Sequence, residues 1–259
     1  MTFSDDEIER YARHLVLAEV GGPGQQGLKA ARVAIVGMGG VGGPAALYLA
    51  AAGVGSLRLI DDDTVGLSNL QRQITFATPD IGRAKVEAGA DVLAALNPYV
   101  LMEPVAERLS DVNAGRLIEG CDVVIDGTDD FIARFAVNRA CVAAGIPLVS
   151  GALGRWSGQV GVFAGRPCYR CLTPEVPPEA ETCARVGVVG ALAGVVGSMA
   201  ALEAVKLITG AGEPLIGRLL IYDGLAGTAR VVRVAADPHC AVCGPDLTRM
   251  PDPAGQHIG

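Results

Sequence analysis

The chain has 259 residues, a formal net charge of −7, and 50% hydrophobic against 19% charged residues. That length accommodates one large α/β domain or two small ones, and the apolar content supplies an ample core, which excludes a disordered chain. No basic face stands out against the negative balance, which argues against a nucleic-acid binder while leaving room for a local cationic pocket.

In chain order, residues 4 to 17 read as an amphipathic helix with Ser4 as N-cap, Asp5, Asp6 and Glu7 in the first turn, and Arg10, Arg13 and His14 further on. This acidic N-terminus has no signal-peptide h-region, so a cytoplasmic location is expected. A glycine-rich loop, GGPGQQG, and a short helical piece to Ala31 should follow. Val33 to Val36 is the first core strand, Pro44 to Gly53 its crossover helix and Leu57 to Ile60 the second strand. Asp80 to Leu96 contains a helix that Asn97-Pro98 ends, and Val100 to Val105 fits a third strand. Val112 to Glu119 is a helix, Asp122 to Asp126 a fourth strand, and DGTDDFIARFAVNRACVAAG a strand end, loop and helix. Ile146 to Ser150 is a fifth strand, with Gly158 to Ala164 pairing antiparallel beyond it. Val186 to Leu202 has no charge, but it is short for a membrane span and carries Gly190 and Gly194 in a small-xxx-small spacing, so it reads as a buried, close-packed helix. Two late strands, Arg218–Tyr222 and Arg230–Val234, and a frayed tail complete the chain.

Strands alternating with helices imply a Rossmann-like, doubly wound, mostly parallel α/β sheet extended by antiparallel strands. We expect a single domain over 1–259: a nucleotide-binding half at about 30–150, a cysteine-bearing part at about 151–245 and a flexible tail at 246–259. Ligands in such sheets lie beyond the carboxyl ends of the strands, which puts the glycine turn, Asp61 and Asp129 on one rim.

The first strand runs into Gly37, Gly39 and Gly42, which fit G-x-G-x-x-G with Gly40 between them, and Asp61 ends the second strand. That pattern seats a phosphate on a helix N-terminus and a ribose hydroxyl on a carboxylate, and alone it suggests NAD. The residues beyond the second strand argue otherwise. The acidic run with Asp61 and Asp63 leads to Asn69, Arg72 and Gln73, and Lys85 stands on the next helix. A triphosphate needs added cations, and Arg72 and Lys85 near one rim supply them; taken singly, either is a solvated surface charge.

Of seven cysteines, four form two C-x-x-C pairs, Cys168 with Cys171 and Cys240 with Cys243. Four thiolates suit a closed, tetrahedral, structural zinc site that pins the last third to the body. A redox dithiol is the alternative for a single pair, but neither begins a helix in a thioredoxin-like pattern. Cys121 and Cys141 read as core. Cys183, in a polar loop beside Arg185, is either a reactive thiolate or a free loop thiol.

SNLQRQ after an acid-ended strand, G-x-G-G-x-G before it, a T-D-D turn and the two C-x-x-C pairs resemble the E1-like adenylyltransferases, bacterial enzymes that activate ubiquitin-like sulfur carriers for molybdopterin or thiamin synthesis. The resemblance runs from RYARH near residue 10 to HCAVCG near 240. It implies ATP-dependent adenylylation of a carrier ending in Gly-Gly. Asp61 would hold the ribose, Arg72 and Lys85 the phosphates with Asn69 and Gln73 beside them, and Asp129 a magnesium ion. Arg13 would reach the phosphates of a neighbouring subunit, which implies a homodimer. In the thiamin branch the cysteine matching Cys183 takes part in acyl transfer or sulfur chemistry. No rhodanese-like domain is expected after Cys243, so the sulfur donor, a cysteine desulfurase or rhodanese, would be separate. His14, Gly127 and Asp130 depart from the family pattern, and Asp130 either strengthens metal binding or caps the helix. No nucleic acid or membrane is expected as a partner. The other readings are an NAD-dependent oxidoreductase and a non-catalytic, carrier-binding relative.

Overall fold

The computed structural model describes residues 2–177 and 187–244. One eight-stranded sheet runs through it in the order β3-β2-β1-β4-β5-β6-β7-β8. The strands are β1 (Arg32–Val36), β2 (Ser56–Ile60), β3 (Leu101–Val105), β4 (Val123–Asp126), β5 (Leu148–Gly154), β6 (Ser157–Phe163), β7 (Arg218–Asp223) and β8 (Thr228–Arg233). The pairs from β3 to β5 are parallel. Those from β5 to β8 are antiparallel. The order reverses between β1 and β4, the crevice where doubly wound sheets bind ligands.

The parallel strands are apolar because both faces are covered. On one face α3 (Gly21–Ala30), α4 (Gly42–Ala52), α5 (Lys85–Leu96) and α9 (Gly190–Thr209) build a core around Ile35, Leu49, Leu57, Leu93 and Val196. On the other, α6 (Ala114–Ile118), α7 (Phe131–Ala144) and α8 (Tyr169–Leu172) pack around Val124, Leu117, Phe135 and Tyr169. From Gly190 on, the apolar stretch is a core helix, as expected, and α9 runs past it to Thr209: Leu192, Ala193, Val196, Ala200 and Ala204 are buried. By length and composition alone α9 would pass for a membrane span.

Two expectations are corrected. The N-terminal helix is broken into α1 (Asp5–Arg10) and α2 (Ala12–Leu15) at Tyr11. Tyr11 is buried against Gly53, and its hydroxyl accepts from Asn97 Nδ2 at 2.9 Å, so a tertiary contact overrides helix continuity. Ser4 caps α1 as expected, in a reciprocal capping box with Glu7. The stretch GGPGQQG is helical from Gly21 on, not a loop. Its small residues let α3 lie against the end of α9: a Cβ at Gly24 would sit 3.4 Å from Thr209 Cγ2, and one at Gly27 3.4 Å from the Ile208 carbonyl. That close packing offsets the poor helix propensity of glycine.

Candidate active site

A cleft of about 580 Å³ opens at the carboxyl ends of β1, β2, β4 and β5. Gly37, Gly39, Gly40, Asp61, Asp63, Asn69, Arg72, Gln73, Lys85 and Asp129 all line it. Gly42 does not; its place is structural. Gly37 has φ +86°, and a Cβ at Gly42 would fall 2.0 Å from the Gly37 carbonyl, so the turn from β1 into α4 closes only with glycine at both positions. Helix α4 starts at Gly42 with no side-chain cap; its Gly43 N–H donates to the Gly39 carbonyl at 3.0 Å, its Ala45 N–H donates to the Val41 carbonyl at 3.2 Å and Pro44 has no N–H, so an anion here would meet the amides of the turn that precedes the helix.

Asp61 continues from β2 into this turn. Its Oδ2 accepts the Met38 N–H at 2.7 Å and its Oδ1 the Asp63 N–H at 2.9 Å. Burial pushes its carboxyl above the ordinary carboxylate range, against the pull of the Lys85 ammonium and of those two amides. Lys85 opens α5 and is buried, and its Nζ meets Asp63 Oδ2 at 2.7 Å. The backbone fixes this approach, since the Lys85 N–H donates to the Asp63 carbonyl at 3.0 Å and Thr64 forms a β-bridge with Ala84.

The SNLQRQ segment begins in a 3₁₀ turn, Leu67–Asn69, and continues through further turns at Leu70–Arg72. Asn69 Oδ1 accepts the Gly66 N–H at 2.9 Å, and Arg72 Nη1 donates to the Ser68 carbonyl at 3.0 Å. Gln73 is buried, and its Oε1 has no hydrogen-bond partner among the described residues. The start of α9 presses on this segment: a Cβ at Gly190 would lie 2.1 Å from the Gln71 carbonyl.

Asp129 and Asp130 divide the roles left open by their adjacency. Asp130 caps α7, its Oδ1 accepting the Ile132 N–H at 3.0 Å. Asp129 is exposed on the cleft wall and accepts no hydrogen bond among the described residues. Beneath it lies a buried group that sequence reasoning missed. Asp126 takes the Thr128 N–H at 3.1 Å, the Thr128 hydroxyl at 2.7 Å and the Ser150 hydroxyl at 2.9 Å. Arg134 faces Asp126 at 3.4 Å. The available signal was an arginine on the apolar face of a helix that starts at the rim.

The four paired cysteines converge. Their sulfurs lie within 4.8 Å of one another, with Cys168 and Cys240 3.7 Å apart and Cys171 and Cys243 3.4 Å apart. A tetrahedral centre with Zn–S near 2.3 Å sets sulfurs about 3.8 Å apart, so this donor set fits zinc. Cys168 does begin a helix, the one-turn α8, but among the described residues no parallel strand follows as a thioredoxin-like motif requires. Asn138 of α7 supports the cluster, its Nδ2 donating to Cys168 Sγ at 3.5 Å and its Oδ1 accepting the Tyr169 N–H at 2.8 Å. Cys121 and Cys141 are buried core residues, as expected. Cys183 lies outside the described residues, as does the tail expected at 246–259.

Arg13 lies exposed on α2 and does not line the cleft of its own chain. Its neighbour His14 pairs with Gln25 Oε1 through Nδ1 at 2.9 Å; because Gln25 Nε2 donates to the Ala52 carbonyl, His14 is the donor, and it ties α2 to α3.

The chain is 45% identical over 249 residues to the SAMP-activating enzyme E1 of Haloferax volcanii, covering 94% of this chain and 92% of that protein. It is 44% identical to the molybdopterin-synthase adenylyltransferase of Escherichia coli over 93% of this chain and 98% of that one. It is 43% identical to the sulfur carrier protein adenylyltransferase of Thermus thermophilus, covering 96% and 95%. Among solved structures, PaaA superposes with a TM-score of 0.77 at 27% identity, covering 90% of this chain and 75% of its own. Escherichia coli MccB bound to MccA-N7isoASN has the same fold, with a TM-score of 0.82 at 24% identity over 94% and 76% of the two chains. The ThiF family matches residues 11–242, nearly the whole length over which the glycine turn, the cation-bearing loop and both cysteine pairs are distributed, and the chain belongs to that family of E1-like enzymes.

Proposed function

We propose that this protein uses ATP to adenylylate the C-terminal Gly-Gly carboxylate of a small ubiquitin-like sulfur carrier, releasing pyrophosphate. The observation that carries the reading is the convergence of Asp61, Arg72, Lys85 and Asp129 with the glycine turn on one cleft. The relatives named as adenylyltransferases support it.

A peptide α-carboxyl has a pKa near ~3.5 and is already an anionic nucleophile at neutral pH. Its oxygen attacks the α-phosphorus of ATP; the bond from that phosphorus to the bridging oxygen breaks, and the electron pair leaves on pyrophosphate. No proton need move, so the site requires cations and donors rather than a general base. Among the described residues lining the cleft there is no histidine. Asp61 accepts the ribose hydroxyls. The amides of the glycine turn before α4 hold phosphate oxygens, and Arg72 and Lys85 offset charge moving onto pyrophosphate, with Asn69 and Gln73 beside them.

Asp129 would hold magnesium, which takes one or two carboxylates plus substrate phosphates and supplies charge neutralisation there. Cys168, Cys171, Cys240 and Cys243 would hold a structural zinc with no open coordination position. Arg13 acts from the neighbouring subunit of a homodimer. The exposed apolar residues Tyr48 on α4 and Val195 and Leu202 on α9 favour such a partner. Cys183 is a candidate for acyl or sulfur transfer, with sulfur delivered by a separate cysteine desulfurase or rhodanese. A cytoplasmic location goes with this reading.

The test is ATP–pyrophosphate exchange with a panel of Gly-Gly-ended carriers. Carrier-dependent exchange is expected. Absence of exchange with every carrier, together with reduction of a bound nicotinamide, would return the site to the dinucleotide reading. Carrier binding without exchange would mark a non-catalytic relative.

A further inference from the structure

We propose that Arg134 is the positioning residue for Asp129: by gripping the Thr128 carbonyl it fixes the direction from which the Asp129 carboxylate enters the cleft. The inference rests on the reading of Asp129 as the metal-holding carboxylate.

Asp129 is exposed and has no hydrogen bond of its own among the described residues, so its direction is inherited from the backbone before it. That backbone is held at every polar atom of Thr128. The Thr128 N–H and hydroxyl both donate to Asp126 Oδ1. The Thr128 carbonyl accepts from Arg134 Nη2. The same guanidinium donates to the Gly151 carbonyl at 2.7 Å and the Ser150 hydroxyl at 3.1 Å, and it lies 3.4 Å from Asp126 Oδ2. It thus joins the loop after β4 to the middle of β5 from below the cleft, with the Tyr169 ring 5.8 Å away.

Packing alone does not account for this residue. Arg134 is 5% exposed and Asp126 fully buried, and a buried ion pair of this kind is a poor source of stability compared with apolar side chains of the same volume. What the guanidinium provides is a planar fork whose Nη2 takes two carbonyls on different elements while its Nη1 takes the Ser150 hydroxyl and faces a carboxylate. A lysine ammonium can match the charge but not the fork.

The experiment compares Arg134→Lys with wild type in two measurements that need no turnover. Amide hydrogen exchange reads the loop directly, and faster exchange is expected in peptides covering 127–130 with none in β1 or β2. Mn²⁺ affinity in the presence of the ATP analogue AMPCPP reads the consequence, and a loss of roughly tenfold is expected, the lower end of the effect of removing a group that orients a metal ligand. In an Asp129→Asn background the same change should cost nothing further. If Arg134→Lys fails to fold, Ser150→Ala removes one hydroxyl partner and should give the same local pattern at smaller size.

Wild-type behaviour of Arg134→Lys would overturn the proposal, because charge alone would then suffice. Acceleration spread equally through β1 and β2, or a loss of Mn²⁺ affinity that persists in Asp129→Asn, would also overturn it. A wild-type protein that binds Mn²⁺ with AMPCPP and shows the Arg134 effect, yet catalyses no pyrophosphate exchange, would refute the carrier reading and leave the positioning role standing. A wild type that binds no Mn²⁺ with AMPCPP would refute both.

Discussion

Replacing Lys85 by methionine should separate catalysis from stability. The Lys85 side chain is 6% exposed, but its partner Asp63 is 68% exposed, so the ion pair is open to water on one side. Such half-hydrated pairs are worth ~0–1 kcal/mol, and the methionine recovers a comparable amount by burying its thioether in the space of the lysine stem. The net change should stay within about 1 kcal/mol, or about 2–4 °C in Tm for a chain of this size. The catalytic effect runs on a different scale. A preorganised charge facing the leaving group is worth roughly 10²–10³-fold in rate. The loss also reaches Asp61, because the Lys85 ammonium opposes the upward push of burial on that carboxyl. In Lys85→Met the folded pKa of Asp61 rises further. An acid whose folded pKa lies above its unfolded value contributes stability that is present at low pH and lost as pH rises through the folded pKa. The variant should therefore recover stability relative to wild type as pH falls toward the ordinary carboxylate range. The assays are carrier-dependent pyrophosphate exchange and calorimetric Tm from neutral pH down to that range. Exchange within threefold of wild type, or a Tm loss of 10 °C at neutral pH, would refute the reasoning.

Arg72→Ala should abolish exchange while circular dichroism and Tm stay near wild type; unchanged exchange would remove Arg72 from the site. If Arg13 acts across a dimer, mixing inactive Arg13→Ala and Arg72→Ala proteins should restore exchange, since one of the two sites in a mixed dimer is intact; no recovery after confirmed subunit exchange would place Arg13 elsewhere. Chelation should lower thermal stability far more than nucleotide affinity, because none of the four cysteines lines the cleft, and metal analysis should give one zinc per chain. Gly42→Ala should cost several degrees of Tm, since its Cβ would meet the Gly37 carbonyl at 2.0 Å; a wild-type Tm would show that the turn can open.

The nucleotide half was legible because each element carries a local signature: apolar runs for strands covered on both faces, glycines where a turn demands them, and Asn97-Pro98 to stop α5. The boundaries of β1, β2, β4 and β6 fall within two residues of expectation. The convergence of the cysteines could be read from spacing because thiolates in two C-x-x-C turns have few other uses. The group of Asp126, Arg134 and Ser150 could not, since its members are scattered over three elements and are related only by the register of β4 with β5. The helicity of α3 and the break at Tyr11 were hidden for a similar reason. Both depend on partners, Thr209 and Asn97, that no local window contains.

Helix α9 has a consequence for how the polypeptide is made. It belongs to the same core as β1, α4 and β2, contributing Leu192, Val196, Ala200, Ala201 and Ala204. All five parallel strands have emerged from the ribosome by Gly154, yet the part of that face over β4 and β5, beyond the reach of α3, α4 and α5, stays open until α9 has also been translated. A nascent chain in that interval presents apolar surface that the finished protein hides, which is the condition holding chaperones capture. A fragment ending after β5 would carry the whole glycine turn and Asp61 and still lack the material to close its own interior.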